Sequence, residues 1–188
     1  MESSVQVGDK RFRVLRSRTL LEEDCDRVAA SVQRSLEGVE RPLFLCMLNG
    51  AFVFAADLLR RISGACDVEF IRFSSYDGLS SRGEMKEILG LRSDVRGRHV
   101  VVVEDIIDTG LTMRVLQDEL KRRGAASVQL AAMFFKREAF KEHYKIDHIG
   151  YEVPNLFVVG YGLDYGGLGR NLPDLYVLDE ESKKQKVK

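Results

Sequence analysis

The sequence predicts an α/β fold, with a parallel sheet flanked by helices. Two observations carry this expectation. The run Val100–Val103 is an unbroken stretch of β-branched residues, the pattern of a strand buried on both faces at the centre of a parallel sheet. Pro42–Leu48 is a second continuous apolar run, read as another buried strand, and both are followed by a short loop and a helix-like segment.

The stretch around the valines organises the rest. It reads H-V-V-V-V-E-D-I-I-D-T-G-L-T-M from His99 to Met113. The strand is expected to stop at Glu104 and Asp105, whose side chains point to opposite faces because strand side chains alternate. Apolar residues at Met113, Leu116 and Leu120 then place an amphipathic helix over Met113–Arg123. Ligands of open α/β sheets bind at the carboxyl ends of strands, and a loop that opens a helix offers free N–H groups to a phosphate. Glu104 and Asp105 could hold sugar hydroxyls or a hydrated Mg²⁺, Thr109 and Thr112 could donate to a phosphate, and Gly110 would let the backbone approach it. The competing reading is plain helix capping by Asp108 or Thr109. Neither a Walker A loop nor a G-x-G-x-x-G fingerprint is present here.

Taken in order, Met1–Lys10 is polar and expected to be loosely held, and Phe12–Leu15 alternates like a short strand. Thr19 and Glu22 have capping-box spacing for a helix running to about Leu36 and ending near Gly38. Leu20, Val28, Val32 and Leu36 are its expected apolar face. After Pro42–Leu48, Asn49-Gly50 marks a sharp turn into a helix over Ala51–Ile62. Asp67–Tyr76 and Ile88–Leu91 read as strands around the polar loop Asp77–Lys86, which is either a mobile hairpin or a lid. Ser127–Phe135 is strand-like, with Lys136 just past its end; a lysine there is ordinarily surface charge. A short helix over Glu138–Tyr144, a strand over Ile146–Tyr151, a turn at Pro154-Asn155 and a last strand over Leu156–Gly162 follow. Phe157 would be core by residue type alone. Lys183–Lys188 is a basic tail, expected to be solvated.

The 188 residues suit one domain. Twenty-nine basic side chains balance 29 acidic ones, so composition points to neither a nucleic-acid nor a membrane partner. Cys25, Cys46 and Cys66 are widely spaced, and His99, His143 and His148 are scattered without metal-ligand spacing, so the histidines are expected to be structural or surface residues. With no leader-like apolar segment, the expected compartment is the reduced cytosol.

V-V-V-V-E-D-I-I-D-T-G-L-T-M resembles the phosphoribosyl pyrophosphate (PRPP) signature of the type I phosphoribosyltransferases, and its E-D-I-I-D-T-G-x-T-M form is similar to that of the hypoxanthine–guanine enzymes. F-V-V-G-Y-G-L-D-Y at Phe157–Tyr165 resembles the base-binding segment of the same family. The resemblance runs from about Phe12 to Leu178. It implies a type I phosphoribosyltransferase fold over residues 1–188, with a small hood subdomain built from the N-terminal residues and the region after about 150, and a tail at about 180–188.

The resemblance also implies roles. Glu104 and Asp105 would anchor the ribose, and the loop Asp108, Thr109, Gly110, Leu111, Thr112 would clamp the 5′-phosphate, with Asp108 as acid/base at the purine N7. Leu48, Asn49 and Gly50, through a cis peptide between Leu48 and Asn49, would bind pyrophosphate, together with Ser75, Tyr76 and Arg170. Many relatives carry lysine where this chain has Asn49, which leaves that contact to the backbone. Lys136 would donate to the purine 6-oxo group, Phe157 would stack on the base, and carbonyls near Val158 and Asp164 would face the 2-position. Mg²⁺ is the implied cofactor, held by Glu104, Asp105 and Asp164. The implied substrates are PRPP, hypoxanthine and guanine, and the implied assembly is a homodimer or homotetramer. The rival is a regulatory protein that keeps the fold as a nucleotide sensor and binds RNA or a protein partner.

Overall fold

Alternation along one strand builds both halves of the core. The computed structural model describes residues 4–74 and 86–179. In β6 (His99–Ile107), Val100 and Val102 pack into one cluster and Val101 and Val103 into the opposite one. Each buried valine contributes about 1.5–3 kcal/mol relative to exposure. β6 pairs in parallel with β3 (Leu43–Met47) on one side and β7 (Ser127–Phe135) on the other. The larger sheet is completed by β4 (Asp67–Ser74), β5 (Lys86–Leu89) and β8 (His148–Glu152), in the order β5-β4-β3-β6-β7-β8. Its strands are parallel except β5, which runs antiparallel to β4.

Helices cover both faces, as expected. α1 (Arg18–Ser35) and α2 (Phe52–Leu59) pack on the face that holds Phe44, Val101 and Met133. α3 (Leu111–Arg122) packs on the face that holds Leu45, Val102 and Ala132. From β3 the chain passes through α2 to β4 on one side; from β6 it passes through α3 to β7 on the other. The direction of winding therefore reverses between β3 and β6. Such a switch point leaves a crevice at the carboxyl ends of the two strands.

A second, antiparallel sheet joins the two ends of the chain in the order β1-β2-β10-β9. Its strands are β1 (Ser4–Val7), β2 (Lys10–Arg16), β9 (Val158–Val159) and β10 (Leu175–Leu178). The free cysteines Cys25 and Cys46 are buried, and Cys66 is partly so. His148 is a satisfied core residue between Ser31 Oγ (2.9 Å) and Gln129 Oε1 (2.9 Å), His99 pairs with Ser127 Oγ, and His143 is exposed. Among the described residues no helix is long and apolar enough to cross a membrane.

Several local expectations need correction. The segment before Lys10 is not loose throughout, because Ser4–Val7 pairs with β2. Thr19 does not cap α1: the N-cap is Ser17 without a side-chain bond, and Asp174 Oδ1 accepts from Arg18 N–H at 2.6 Å instead. A distant carboxylate has taken over the local cap. Leu20 is 40% exposed, and Leu21 fills the core in its place. β6 runs through the acidic pair to Ile107, because β7 continues to pair with it as far as Phe135. Glu138–Tyr144 is not a helix but one turn closed on Lys136 O, followed by irregular chain. The last strand is only Val158–Val159, and Phe157 lies outside it, 45% exposed. β10 carries none of the patterns singled out in the sequence.

Candidate active site

The crevice between β3 and β6 is a cleft of about 330 Å³ lined by Met47, Leu48, Glu104, Ile106 to Gly110, Thr112 and Met113. The strand ends, the loop into α3 and the first turn of α3 supply all of it. Capping by Asp108 or Thr109 does not explain that loop: the N-cap of α3 is Gly110, at φ +87°, with no side-chain cap bond. Only glycine takes this φ readily. A Cβ on Gly110 would also lie 2.4 Å from Phe140 Cε2. Tyr144 donates to Gly110 O at 2.6 Å, and burial, followed by the charges of Glu142 and Glu104, pushes its phenol up to about 12, so it stays a donor. Phe140 and Tyr144 thus support the loop from behind; nothing in their spacing announced it.

The two carboxyl groups interact with each other but face different parts of the site. Glu104 lines the cleft, while Asp105 turns toward the β3–α2 loop, where a Cβ on Gly50 would fall 1.4 Å from its Oδ2. Asp105 Oδ1 accepts from Ile106 N–H at 2.9 Å, and Glu104 Oε1 from Asp105 N–H at 3.2 Å. Burial first, and the adjacent Asp105 second, hold the Glu104 carboxyl well above the usual carboxylate range. Leu48–Asn49 is a cis peptide, as the resemblance implies.

Lys136 follows β7 and reaches across to β6, where its Nζ donates to Asp108 Oδ2 at 3.0 Å. Its side chain is largely buried, while that of Asp108 is half exposed. The other anticipated residues lie on the segment after β9. Arg170 Nη2 pairs with Asp164 Oδ1 at 2.5 Å, Arg170 Nη1 donates to Gly162 O at 2.7 Å, and Gly167 N–H donates to Asp164 Oδ2 at 2.7 Å. Both Asp164 oxygens are engaged. Gly162 lies directly on the β3–α2 loop: a Cβ there would be 2.1 Å from Gly50 O. Val158 is buried, whereas Phe157 is partly exposed, with Phe12 (6.3 Å) and Tyr165 (5.8 Å) beside its ring and the Lys10 ammonium over it, 5.9 Å from the centroid. Leu111 is exposed at the start of α3. Ser75 and Tyr76, like most of the Asp77–Lys86 loop and the basic tail, fall outside the described residues.

Among the described residues no cluster of three or more His, Cys, Asp or Glu side chains is placed to hold a metal. The donor set nevertheless suits Mg²⁺. It takes one or two carboxylates and fills its remaining positions with water and substrate phosphate oxygens. Glu104 and Asp105 are adjacent hard donors whose charges one cation would relieve.

Comparison with known proteins agrees with this architecture. The phosphoribosyl transferase domain family matches residues 16–166. The hypoxanthine-guanine phosphoribosyltransferase of Aquifex aeolicus is 37% identical over 180 residues, covering 93% of this chain and 99% of its own. That of Streptococcus thermophilus is 43% identical over 143 residues, 76% of this chain and 79% of its own. The crystal structure of a Bacillus anthracis hypoxanthine-guanine phosphoribosyltransferase superposes with a TM-score of 0.83 at 34% identity, over 88% of this chain and 98% of that one. The hypoxanthine phosphoribosyl transferase of Trypanosoma cruzi gives 0.86 at 31% identity, over 97% and 98%. The chain belongs to the phosphoribosyl transferase family, with the type I fold of its hypoxanthine-guanine members.

Proposed function

We propose that the chain transfers the 5-phosphoribosyl group of PRPP to hypoxanthine or guanine, giving the nucleoside 5′-monophosphate and pyrophosphate. The observation that carries this reading is the pair of Lys136 and Asp108, 3.0 Å apart at the edge of the cleft that Thr109–Thr112 close. One offers a fixed donor and the other a movable proton, beside a loop built for a phosphate.

The loop Asp108–Thr112 holds the 5′-phosphate and so fixes C1′ beneath the base nitrogen. Glu104 and Asp105 hold the ribose hydroxyls. The bond from C1′ to the pyrophosphate oxygen breaks with its electron pair going to that oxygen, and positive charge grows on the ribose ring. The Leu48–Gly50 backbone and Arg170 stabilise the departing pyrophosphate; Arg170 turns to it from Asp164. The purine ring lies on Phe157, its N9 bonds to C1′, and Asp108 takes the N7 proton. Glu104 and Asp105, with Asp164 at a second position, would hold Mg²⁺, which would neutralise charge on the departing pyrophosphate.

The sheet β1-β2-β10-β9 serves as the hood, within one domain over residues 1–188. The protein works in the cytosol as a homodimer or homotetramer. The relatives are named as enzymes, and nothing in them supports the regulatory alternative. Incubation with PRPP, Mg²⁺ and hypoxanthine should yield inosine monophosphate. A folded protein that binds PRPP and Mg²⁺ but makes no nucleotide from either base would overturn the assignment.

A further inference from the structure

Tyr161 stands in a conformation that its neighbours suit and it does not. Gly160 and Gly162 flank it at φ +96° and +101°, values open to glycine. Tyr161 itself is at φ +48°, a left-handed backbone that a bulky side chain rarely adopts. A third glycine would meet the backbone demand with less strain, so the side chain must supply something a glycine would not. It is 4% exposed, packs edge-on against Phe134 at 6.2 Å, and donates from its hydroxyl to Asp57 Oδ2 at 2.7 Å. Burial, then the bond to Asp57, raises the phenol far above its ordinary value, so it remains a donor throughout the working range.

The bond joins two segments that each carry part of the proposed site. Asp57 lies on α2, which begins just after the Leu48–Gly50 loop. Tyr161 belongs to the segment that carries Phe157, Asp164 and Arg170. Its backbone N–H donates to Leu172 O (2.8 Å), and the next N–H, of Gly162, donates to Arg170 O (3.0 Å). Gly162 in turn touches Gly50 O and accepts from Arg170 Nη1. Any shift of Tyr161 therefore moves Arg170 relative to the loop it must face.

We infer that Tyr161 is a positioning residue: through Asp57 it holds Gly162 and Arg170 in register with the Leu48–Gly50 loop, so that both halves of the pyrophosphate site meet one ligand. This rests on the proposed reaction. It predicts a loss greatest at the pyrophosphate end, because Lys136 and Asp108 reach the base from β7 and β6, and Phe157 is anchored separately by Leu178 N–H, which donates to its carbonyl at 3.0 Å.

The test is Tyr161→Phe, which removes only the hydroxyl, with Asp57→Ala and Asp57→Asn beside it. In Tyr161→Phe and Asp57→Ala, KM for PRPP, and for pyrophosphate in the reverse reaction, should rise about three- to tenfold, the worth of one hydrogen bond. KM for hypoxanthine should stay within about twofold of wild type. Asp57→Asn keeps an acceptor and should stay near wild type for all three. The double variant Tyr161→Phe/Asp57→Ala should be no worse than Asp57→Ala alone, which already breaks the bond to Tyr161 together with the exposed Arg60 pair. A lower melting temperature with all KM values unchanged, or base and pyrophosphate KM rising together, would overturn the inference. Should Tyr161→Phe not fold, the two Asp57 variants decide it alone. A wild type that makes no nucleotide refutes the reaction instead, a result read before any variant is compared.

Discussion

Lys136 Nζ sits 3.0 Å from Asp108 Oδ2, so the two side chains expected on either side of the purine's 6-oxo and N7 edge are bound to each other across the ends of β7 and β6. Their pairing keeps a largely buried ammonium from standing unpaired, which would be costly. A purine with a 6-oxo group can take over the lysine and release the carboxylate for proton transfer. Asp108→Asn preserves a hydrogen bond to Lys136 but takes no proton. We expect kcat to fall by about 10²–10⁴-fold with little change in PRPP affinity. Near-normal kcat in a pre-steady-state assay would remove the acid/base role.

In the proposed reaction the same pair decides base choice. Lys136 donates and cannot accept, so it suits the 6-oxo group of hypoxanthine and guanine and opposes the 6-amino group of adenine. Discrimination built on such a bond reaches about 10⁴–10⁵-fold. On the proposed placement of carbonyls near Val158 and Asp164 at the 2-position, xanthine, which sets an oxygen there, should be weaker than guanine. The measurement is kcat/KM for the four bases in wild type and Lys136→Met. Efficient use of adenine by the wild type would refute the role of Lys136, and equal use of xanthine and guanine would refute the carbonyl argument.

The reach of the sequence was set by the range of the forces involved. The valine run and its following loop announced β6, the cleft at its carboxyl end and α3, because burial on both faces and a close turn of backbone leave local patterns. What stayed hidden depends on partners far along the chain. Asp174 caps α1 across 156 residues, displacing the local cap that Thr19 and Glu22 suggested. Ser4–Val7 becomes a strand only because β2 pairs with it. Phe140 and Tyr144 fell in a segment read as a short helix, yet they brace Gly110. The Tyr161–Asp57 bond spans 104 residues; its one local sign was the paired glycines of G-Y-G.

Gly50 should tolerate no side chain. Its φ is not left-handed, so the constraint is space: a Cβ would lie 1.4 Å from Asp105 Oδ2 and 2.4 Å from Asp105 Cγ. Gly50→Ala must push Asp105 off its bond to Ile106 N–H or move the loop. We expect a stability loss of about 1–3 kcal/mol, typical of overpacking, and a rise in KM for PRPP from the displaced carboxylate. Urea unfolding with unchanged midpoint and an unchanged KM would show that the loop yields freely.

Glu104 should trade stability for binding. Burial and Asp105 raise its carboxyl in the folded chain above the ordinary value near 4.5, so folding favours the protonated form. That contribution is complete below about pH 4.5 and is lost as pH rises through the folded value. At pH 8 the free protein therefore lacks stability that the raised Glu104 carboxyl lends it at pH 4. Glu104→Gln is neutral at every pH. Its melting temperature should exceed that of wild type by about 2–4 °C at pH 8, the shift that 1 kcal/mol makes in a domain of this size, and the gap should close near pH 4. The gain costs function: without the carboxylate, PRPP and Mg²⁺ should stabilise the variant less than wild type. Thermal scans at pH 4 and pH 8, with and without PRPP and Mg²⁺, check both halves. A gap that does not change with pH would show that Glu104 is not the group titrating. A variant less stable than wild type at pH 8 would show that the carboxylate itself supports the fold.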